Sequence, residues 1–159
     1  MALADEARRA ILPLFRGHAL STENKLSEGF DPVTIADRGA EKAMRSLLSD
    51  LRPDDAVLGE EYGASSGSSG LTWVLDPIDG TRGFITGTPT WGVLIALSED
   101  TGPLFGVIDQ PFIGERFIGG FGVSQYKGPL GNTGLTTRAT ASLAPVSYTH
   151  LTLPTILRV

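Results

Sequence analysis

Two aspartates and a Gly-Thr step follow a short apolar run in the middle of the chain. The run, Leu71 to Leu75, predicts a buried strand that ends at Asp76-Pro77. Proline lacks the N–H that a sheet ladder needs, and it also restricts the residue before it. Asp79 and Gly80-Thr81 come next. Carboxylates at the carboxyl end of a strand lie where open α/β sheets place their ligands.

These residue types would suit a metal ion beside a phosphate. Hard cations such as Mg²⁺ bind carboxylate oxygens together with the oxygens of a substrate's phosphate. If Gly80-Thr81 begins a helix or a nest, its amides face an anion. The alternative is structural, with Asp76 in an Asx-turn and Asp79 as a helix N-cap. The spacing of two aspartates alone favours the structural interpretation.

Length and composition restrict the function classes. The chain has 159 residues, 41% of them hydrophobic, which is enough for the core of one domain. The net charge of −5 argues against a nucleic-acid partner. No apolar run approaches the roughly 18 residues of a membrane span, and the first residues do not resemble a signal peptide. We therefore expect no membrane partner and a cytoplasmic location. The chain contains no cysteine, which excludes disulfides and thiolate metal sites.

The hydrophobic pattern predicts two helices followed by strands. Apolar residues recur at helical spacing from Leu3 to Phe15, and Pro13 should end that helix early. Its charged residues, Arg8 among them, are predicted on the opposite face. A second helix is predicted over 36–49. Strands are expected at 56–58, 91–97, 104–108 and 116–118, with a loop at 62–70 and a glycine-rich stretch at 119–134 that contains a turn at 127–129. This order is typical of an α/β or α+β layered fold.

Other acidic residues lie at the ends of these predicted elements. Thr34-x-x-Asp37 fits a helix capping signature, so Asp37 has a complete structural explanation as an acid in the first turn. Glu60 and Glu61 follow the strand at 56–58. Adjacent like charges are tolerated in a buried place mainly when a cation sits between them. Alternatively, this pair forms an exposed acidic loop tip.

The string W-V-L-D-P-I-D-G-T at 73–81 resembles the signature of the inositol monophosphatase family. G-E-E at 59–61 and D-P-V-T-I-A-D at 31–37 are similar to two further motifs of that family. T-R-G-F-I-T-G-T-P at 81–89, with Arg82, most resembles its histidinol-phosphate phosphatase branch. The resemblance implies a layered sugar-phosphatase fold and a Mg²⁺-dependent phosphomonoesterase, with two or three Mg²⁺ ions in a complete enzyme.

The resemblance also implies the metal ligands. Asp76 would bridge two Mg²⁺ ions, Glu60 would bind the first ion and Asp79 the second. The carbonyl oxygen of Ile78 would complete the first ion's shell. Glu61 would support this set from outside, as would Lys25, although the spacing around Lys25 is loose and a solvated surface lysine explains it equally well.

By the same resemblance, a metal-activated water attacks the phosphate of a small monoester. Asp37 and Thr81 would hold that water, with Glu60 as the third catalytic residue. The amides of Gly80 and Thr81 would bind phosphate oxygens. The implied substrate is histidinol phosphate. The alternatives are an inositol phosphate, a nucleotide 3′-phosphate, or a truncated chain that binds a cation without catalysis.

The resemblance covers roughly residues 1–144, the amino-terminal half of a family member. A family aspartate in a downstream W-D motif, which completes the second metal site, is absent from the sequence. We therefore expect weak metal binding and little turnover from this chain. A half-layered fold would expose apolar surface and a sheet edge, so we expect association, with a homodimer as one option.

The last residues, 145–159, are expected to be foreign to the protein. Val146 to Thr155 resembles the in-frame translation of a sequencing adapter. A genuine strand is the alternative, because Thr alternates there with apolar residues. On the adapter interpretation, His150 has no functional role.

Overall fold

The computed structural model describes residues 2–17, 22–24 and 32–136. Its helices are α1 (Ala2–Ile11), α2 (Ile35–Leu51) and α3 (Thr81–Ile85). Its strands are β1 (Thr22–Asn24), β2 (Pro32–Thr34), β3 (Ala56–Gly59), β4 (Gly63–Ser65), β5 (Thr72–Asp79), β6 (Gly92–Glu99), β7 (Gly102–Gln110), β8 (Glu115–Gly120), β9 (Val123–Gly128) and β10 (Gly131–Gly134). The predicted layered α/β fold is confirmed.

One sheet of eight strands dominates, in the order β10-β9-β8-β7-β6-β5-β3-β4, and β1 pairs separately with β2. The strands from β5 to β10 pair as antiparallel neighbours, whereas β3 and β5 run parallel with Gly59 opposite Leu75. Parallel strands end at the same edge of a sheet. The residues after β3 therefore lie beside the last residues of β5.

Helices α1 and α2 pack against each other and against the centre of the sheet, α1 on β6 and α2 on β5. The core between these layers includes Ala7, Met44, Leu75 and Val93. Trp91, predicted as a core or sheet-face residue, is buried with them. None of the described helices combines the length and the apolar character needed to cross a membrane.

The start of α2 confirms the predicted capping box. The Thr34 hydroxyl accepts from the N–H groups of Ala36 and Asp37, at 3.1 and 3.4 Å. Asp37 Oδ2 in turn accepts from the Thr34 N–H at 2.9 Å. These bonds satisfy N–H groups that the first turn of a helix leaves free. They also fix Asp37 on the inner side of the helix, where it is buried.

Helix α1 ends before Pro13, as predicted, and Arg8, predicted on the face opposite the apolar residues, is only partly exposed because it reaches the sheet. Arg8 Nη2 lies 3.0 Å from Oδ1 of Asp109 on β7, whose side chain is completely buried. Arg116 binds the same carboxylate with Nε at 2.6 Å and reaches Asp5 of α1 with Nη2 at 2.8 Å. A buried carboxylate needs such partners, and this one connects α1 to the sheet.

Strand β5 continues through Pro77, which corrects the expected stop at Asp76-Pro77. The pairing with β3 reaches only Leu75, so β3 requires no N–H from position 77. On the other side, the pairing with β6 shifts register between Asp76 and Asp79. Proline is tolerated at such irregularities because no ladder bond is lost there.

Strand β4 lies in the segment expected as a loop, and β9 and β10 lie in the glycine-rich stretch at 119–134, where only a turn was predicted. All three contain glycine, and the first and last are fully exposed, so they carry no apolar alternation that would have predicted them. Each forms by antiparallel pairing with a neighbouring strand. Strand β4 pairs with β3, β9 pairs with β8, and β10 pairs with β9. Lys25 and the 145–159 tail lie outside the described residues.

Candidate active site

The predicted acidic residues meet at the edge where β3 and β5 end. Glu60 is the first residue after β3, and its N–H donates to the carbonyl of Leu75 at 3.1 Å. Asp76 follows Leu75 directly on β5. The parallel pairing therefore places two carboxylates side by side although 16 positions of sequence separate them.

Of the acidic residues at this edge, Asp76 has the most strongly shifted pKa. Burial raises the pKa of Asp76 to about 7, helped by the charge of Glu60, a hydrogen bond with Glu60, and the charges of Asp79 and Asp37. Its buried Oδ1 has no hydrogen-bond partner among the described residues. A buried carboxylate oxygen without a donor is costly unless something else satisfies it. Asp76 thus presents a free oxygen among three other acids.

The turn after β5 leads directly into a helix, as one interpretation predicted. Asp79 is exposed at the end of β5. Gly80 has φ +89, and an added Cβ would lie 2.7 Å from the Thr90 carbonyl oxygen. Glycine is required there on both counts. Helix α3 begins at Thr81 without a side-chain cap, which rules out Asp79 as its N-cap.

Asp37 and Thr81 are brought together from α2 and α3. The Thr81 hydroxyl lies 3.3 Å from Asp37 Oδ1 and 3.0 Å from the Ile78 carbonyl oxygen. Because a hydroxyl carries one hydrogen, it can serve only one of these acceptors at a time. Burial raises the pKa of Asp37, opposed by hydrogen bonds from Thr34 and Thr81.

Sequence reasoning missed one residue next to this group. Glu41 lies one turn after Asp37 on α2, and its carboxylate accepts the N–H groups of Glu61 and Tyr62 at 2.7 and 3.2 Å. Glu61 thus meets the neighbouring helix through its backbone. The available signal was an acid at i+4 from Asp37, in register with the apolar face of the helix.

The donor chemistry of the site suits a hard cation. Asp76, Glu60 and Asp79 offer carboxylate oxygens, the Ile78 carbonyl lies between Asp76 and Asp79 on β5, and the chain has no thiolate. Mg²⁺ prefers such ligands. Across residues 2–17, 22–24 and 32–136, no group of three or more acidic or histidine side chains is placed so that it could hold a metal ion. The free Oδ1 of Asp76 is the atom that most clearly fits a cation.

Comparison with known proteins identifies the family. A sequence model of the inositol monophosphatase family matches residues 1–152. The chain belongs to the inositol monophosphatase family. The motifs that suggested it, at 31–37, 59–61 and 73–81, all fall within the matched region.

Individual family members support the assignment. The chain is 40% identical over 155 residues to the bifunctional phosphatase IMPL2 of Arabidopsis thaliana, covering 96% of the chain and 43% of that protein. It is 44% identical over 117 residues to a histidinol-phosphatase of Mycobacterium tuberculosis, covering 74% and 44%. A solved inositol monophosphatase from Zymomonas mobilis superposes with a TM-score of 0.62 at 41% identity, covering 80% and 48%. The chain thus spans less than half the length of these relatives.

Proposed function

We propose that this chain carries the metal-binding half of a Mg²⁺-dependent phosphatase that hydrolyses a small phosphate monoester. The observation that carries the proposal is Asp76, with its raised pKa and its unpartnered Oδ1 beside Glu60 and Asp79. A purely structural acid would be expected to have its buried oxygens hydrogen-bonded. Family membership supports the same activity.

The residues would divide into those that bind the metal and those that bind water and phosphate. Asp76, Glu60 and Asp79 would hold Mg²⁺ together with the Ile78 carbonyl, while Glu61 supports the turn between the strands. When bound, Mg²⁺ lowers the pKa of water and neutralises charge on a phosphate. The residues of the chain position the reactants around it.

Asp37 and Thr81 would orient the attacking water. The buried Asp37 carboxylate can accept a hydrogen bond from the Thr81 hydroxyl, which leaves the lone pairs of the Thr81 oxygen free to accept a hydrogen bond from water. The amides of Gly80 and Thr81 precede or begin α3 and would bind phosphate oxygens. Holding water and phosphate in line lowers the barrier without covalent chemistry.

Histidinol phosphate is the proposed substrate, and inositol phosphate is the second candidate. The relative named histidinol-phosphatase is 44% identical over 117 residues, and the one described as an inositol monophosphatase is 41% identical. The segment 81–89, with an exposed Arg82, favours the first.

The test compares two substrates with and without the metal. Inorganic phosphate released from histidinol phosphate and from inositol 1-phosphate is measured with Mg²⁺ and with EDTA. We use the 159-residue chain and the product of the gene read beyond codon 144. Mg²⁺-dependent release, faster from histidinol phosphate, supports the proposal. Release that persists in EDTA, or none from either protein, contradicts it.

The 159-residue chain is proposed to bind a cation with little turnover by itself. The family aspartate of the downstream W-D motif does not occur in the sequence, so the second metal would lack a ligand. Mg²⁺ binding without phosphate release from this chain, with release from the longer product, is the expected outcome. Equal turnover by both proteins would show that these residues form a sufficient active site.

A further inference from the structure

Glu41 connects the buried face of α2 to the turn that carries Glu60. Its side chain is completely buried. The carboxylate receives three donors: the N–H of Glu61 at 2.7 Å, the N–H of Tyr62 at 3.2 Å and Nε of Arg45 at 2.7 Å. Hydrogen bonds to an ionised acceptor are shorter and stronger than neutral ones. A buried charge with three donors is therefore well held in one place.

The turn at 59–62 depends on this carboxylate. An added Cβ at Gly59 would lie 1.8 Å from Glu41 Oε1 and 2.3 Å from its Cδ, so the carboxylate occupies the space of a Gly59 side chain. Arg45 extends the connection, because Nη2 donates to the Gly63 carbonyl and Nη1 lies 3.4 Å from the Ser65 hydroxyl. Glu41 and Arg45 together hold the backbone from the end of β3 into β4.

Glu60 lies between two fixed points of this backbone. Its own N–H is bound to the Leu75 carbonyl of β5 at 3.1 Å. The next N–H, that of Glu61, is bound to Glu41. With both peptide groups fixed, the direction of the Glu60 side chain toward Asp76 is restricted, and the charge of Glu60 acts on Asp76.

We propose that Glu41 is a positioning residue for the metal site, because it fixes the Glu61 and Tyr62 amides directly after Glu60 and so restricts the direction of the Glu60 carboxylate toward Asp76. The inference rests on the proposed metal-binding function. One helix then serves both halves of the site: Asp37 contacts Thr81 after β5, and Glu41, one turn later, holds the turn after β3. Groups that orient metal ligands typically change metal affinity about 10–100-fold when removed.

The test is a Mn²⁺ titration of the 159-residue chain, with free Mn²⁺ followed by electron paramagnetic resonance. Mn²⁺ takes the same oxygen ligands as Mg²⁺. Glu41→Gln keeps the size of the side chain but replaces one carboxylate oxygen by an NH₂ group, which cannot accept from the N–H groups around it. The dissociation constant for Mn²⁺ should therefore rise at least roughly tenfold. Gly59→Ala, which displaces the carboxylate, should have the same effect. Hydrogen exchange at the Glu61 and Tyr62 amides should accelerate in both variants.

Two controls separate positioning from general stability and from the proposed function. Met44→Ala removes a fully buried side chain of the same helix, so it should lower the melting temperature but bind Mn²⁺ like the wild type. Glu60→Gln should lose affinity directly. Unchanged affinity in Glu41→Gln, or an equal loss in Met44→Ala, would overturn the positioning role. A wild-type chain that binds no Mn²⁺ would instead refute the metal site itself.

Discussion

At the scale of residues, the most unusual atom of the candidate site is Asp76 Oδ1, a buried carboxylate oxygen without a hydrogen-bond partner among the described residues. Its neighbours are acids, and burial deprives its charge of water. An ionised Asp76 is therefore unfavourable in the protein by itself and becomes favourable beside a cation. Residues selected for function often carry this kind of cost in stability.

Asp76→Asn tests this residue. We expect Mg²⁺-dependent phosphate release from the longer gene product to fall by more than roughly 100-fold, since even groups that merely orient ligands cost up to that much. In metal-free buffer the variant should melt at a higher temperature than the wild type, because the disfavoured charge is gone. Calorimetry and a phosphate assay check both effects. A variant with wild-type turnover would remove Asp76 from the metal site.

Thr81→Ala tests the hydroxyl that joins Asp37 to the turn after β5. The hydroxyl is proposed to orient water without touching the metal, so kcat should fall roughly 100-fold while the Mg²⁺ concentration needed for half activity stays the same. Thr81→Ser keeps the hydroxyl and should retain most of the rate. If the serine variant were as slow as the alanine variant, the hydroxyl would not be the active group.

At the scale of elements, a carboxylate also forms a junction at the ends of β3 and β5 that lie opposite the candidate site, where it joins α2 to these strands. Asp55, before β3, accepts from Arg52 Nε at 2.8 Å and from the Trp73 indole N–H of β5 at 2.9 Å. The hydrogen bond from Arg52 lowers the pKa of Asp55. The end of α2 is thereby joined to both parallel strands whose far ends form the site.

This junction predicts an acid dependence of stability. Because the pKa of Asp55 is lower folded than unfolded, its contribution is complete above about pH 4 and is lost as the pH falls through the folded value. Asp55→Asn should lower the melting temperature at pH 7 by roughly 3–6 °C. The difference from wild type should shrink below pH 4.

Trp73 fluorescence should also report the loss of the Asp55 charge, because the Trp73 indole N–H donates to this carboxylate. In Asp55→Asn the indole loses its ionised acceptor. Trp73→Phe is the matched control. It removes the indole donor and leaves the Asp55 carboxylate bound to Arg52. A melting-temperature difference between Asp55→Asn and wild type that stays constant from pH 7 to acid would show that Asp55 does not titrate differently on folding.

At the scale of the whole molecule, the sheet is covered unequally. Helices α1 and α2 pack on one face. The other face has an open depression of about 710 Å³ that is lined mostly by apolar residues, among them Val74, Leu94, Ile108 and Phe117. Ile108 is 50% exposed there. Contiguous apolar surface of this kind favours association.

We expect the 159-residue chain to associate with rising concentration, as measured by sedimentation velocity. Ile108→Thr keeps a β-branched residue in β7 but removes apolar surface, so it should shift the distribution toward the monomer. Leu130, 93% exposed in the β9–β10 turn and outside that depression, supplies the control Leu130→Ser. A concentration-independent monomer, or equal effects of both variants, would contradict the role of this face.

Local sequence patterns determined several features of this protein. The capping box at Thr34 and Asp37, the periodicity of α1 and α2, and the motifs at 59–61 and 73–81 depend on residues near each other in the chain. Propensities and hydrogen bonds over three or four residues determine such features. The family and the chemical type of the candidate ligands follow from them.

Contacts between distant segments were decided by the tertiary structure alone. The parallel pairing of β3 with β5 brings Glu60 to Asp76, Glu41 reaches the amides after β3, and Arg8 reaches Asp109 across 101 positions of sequence. Exposed strands such as β4 form only because a neighbour offers a free edge. These features depend on which elements pack together, and no local pattern encodes that choice, because the same residue types suit a solvated surface equally well.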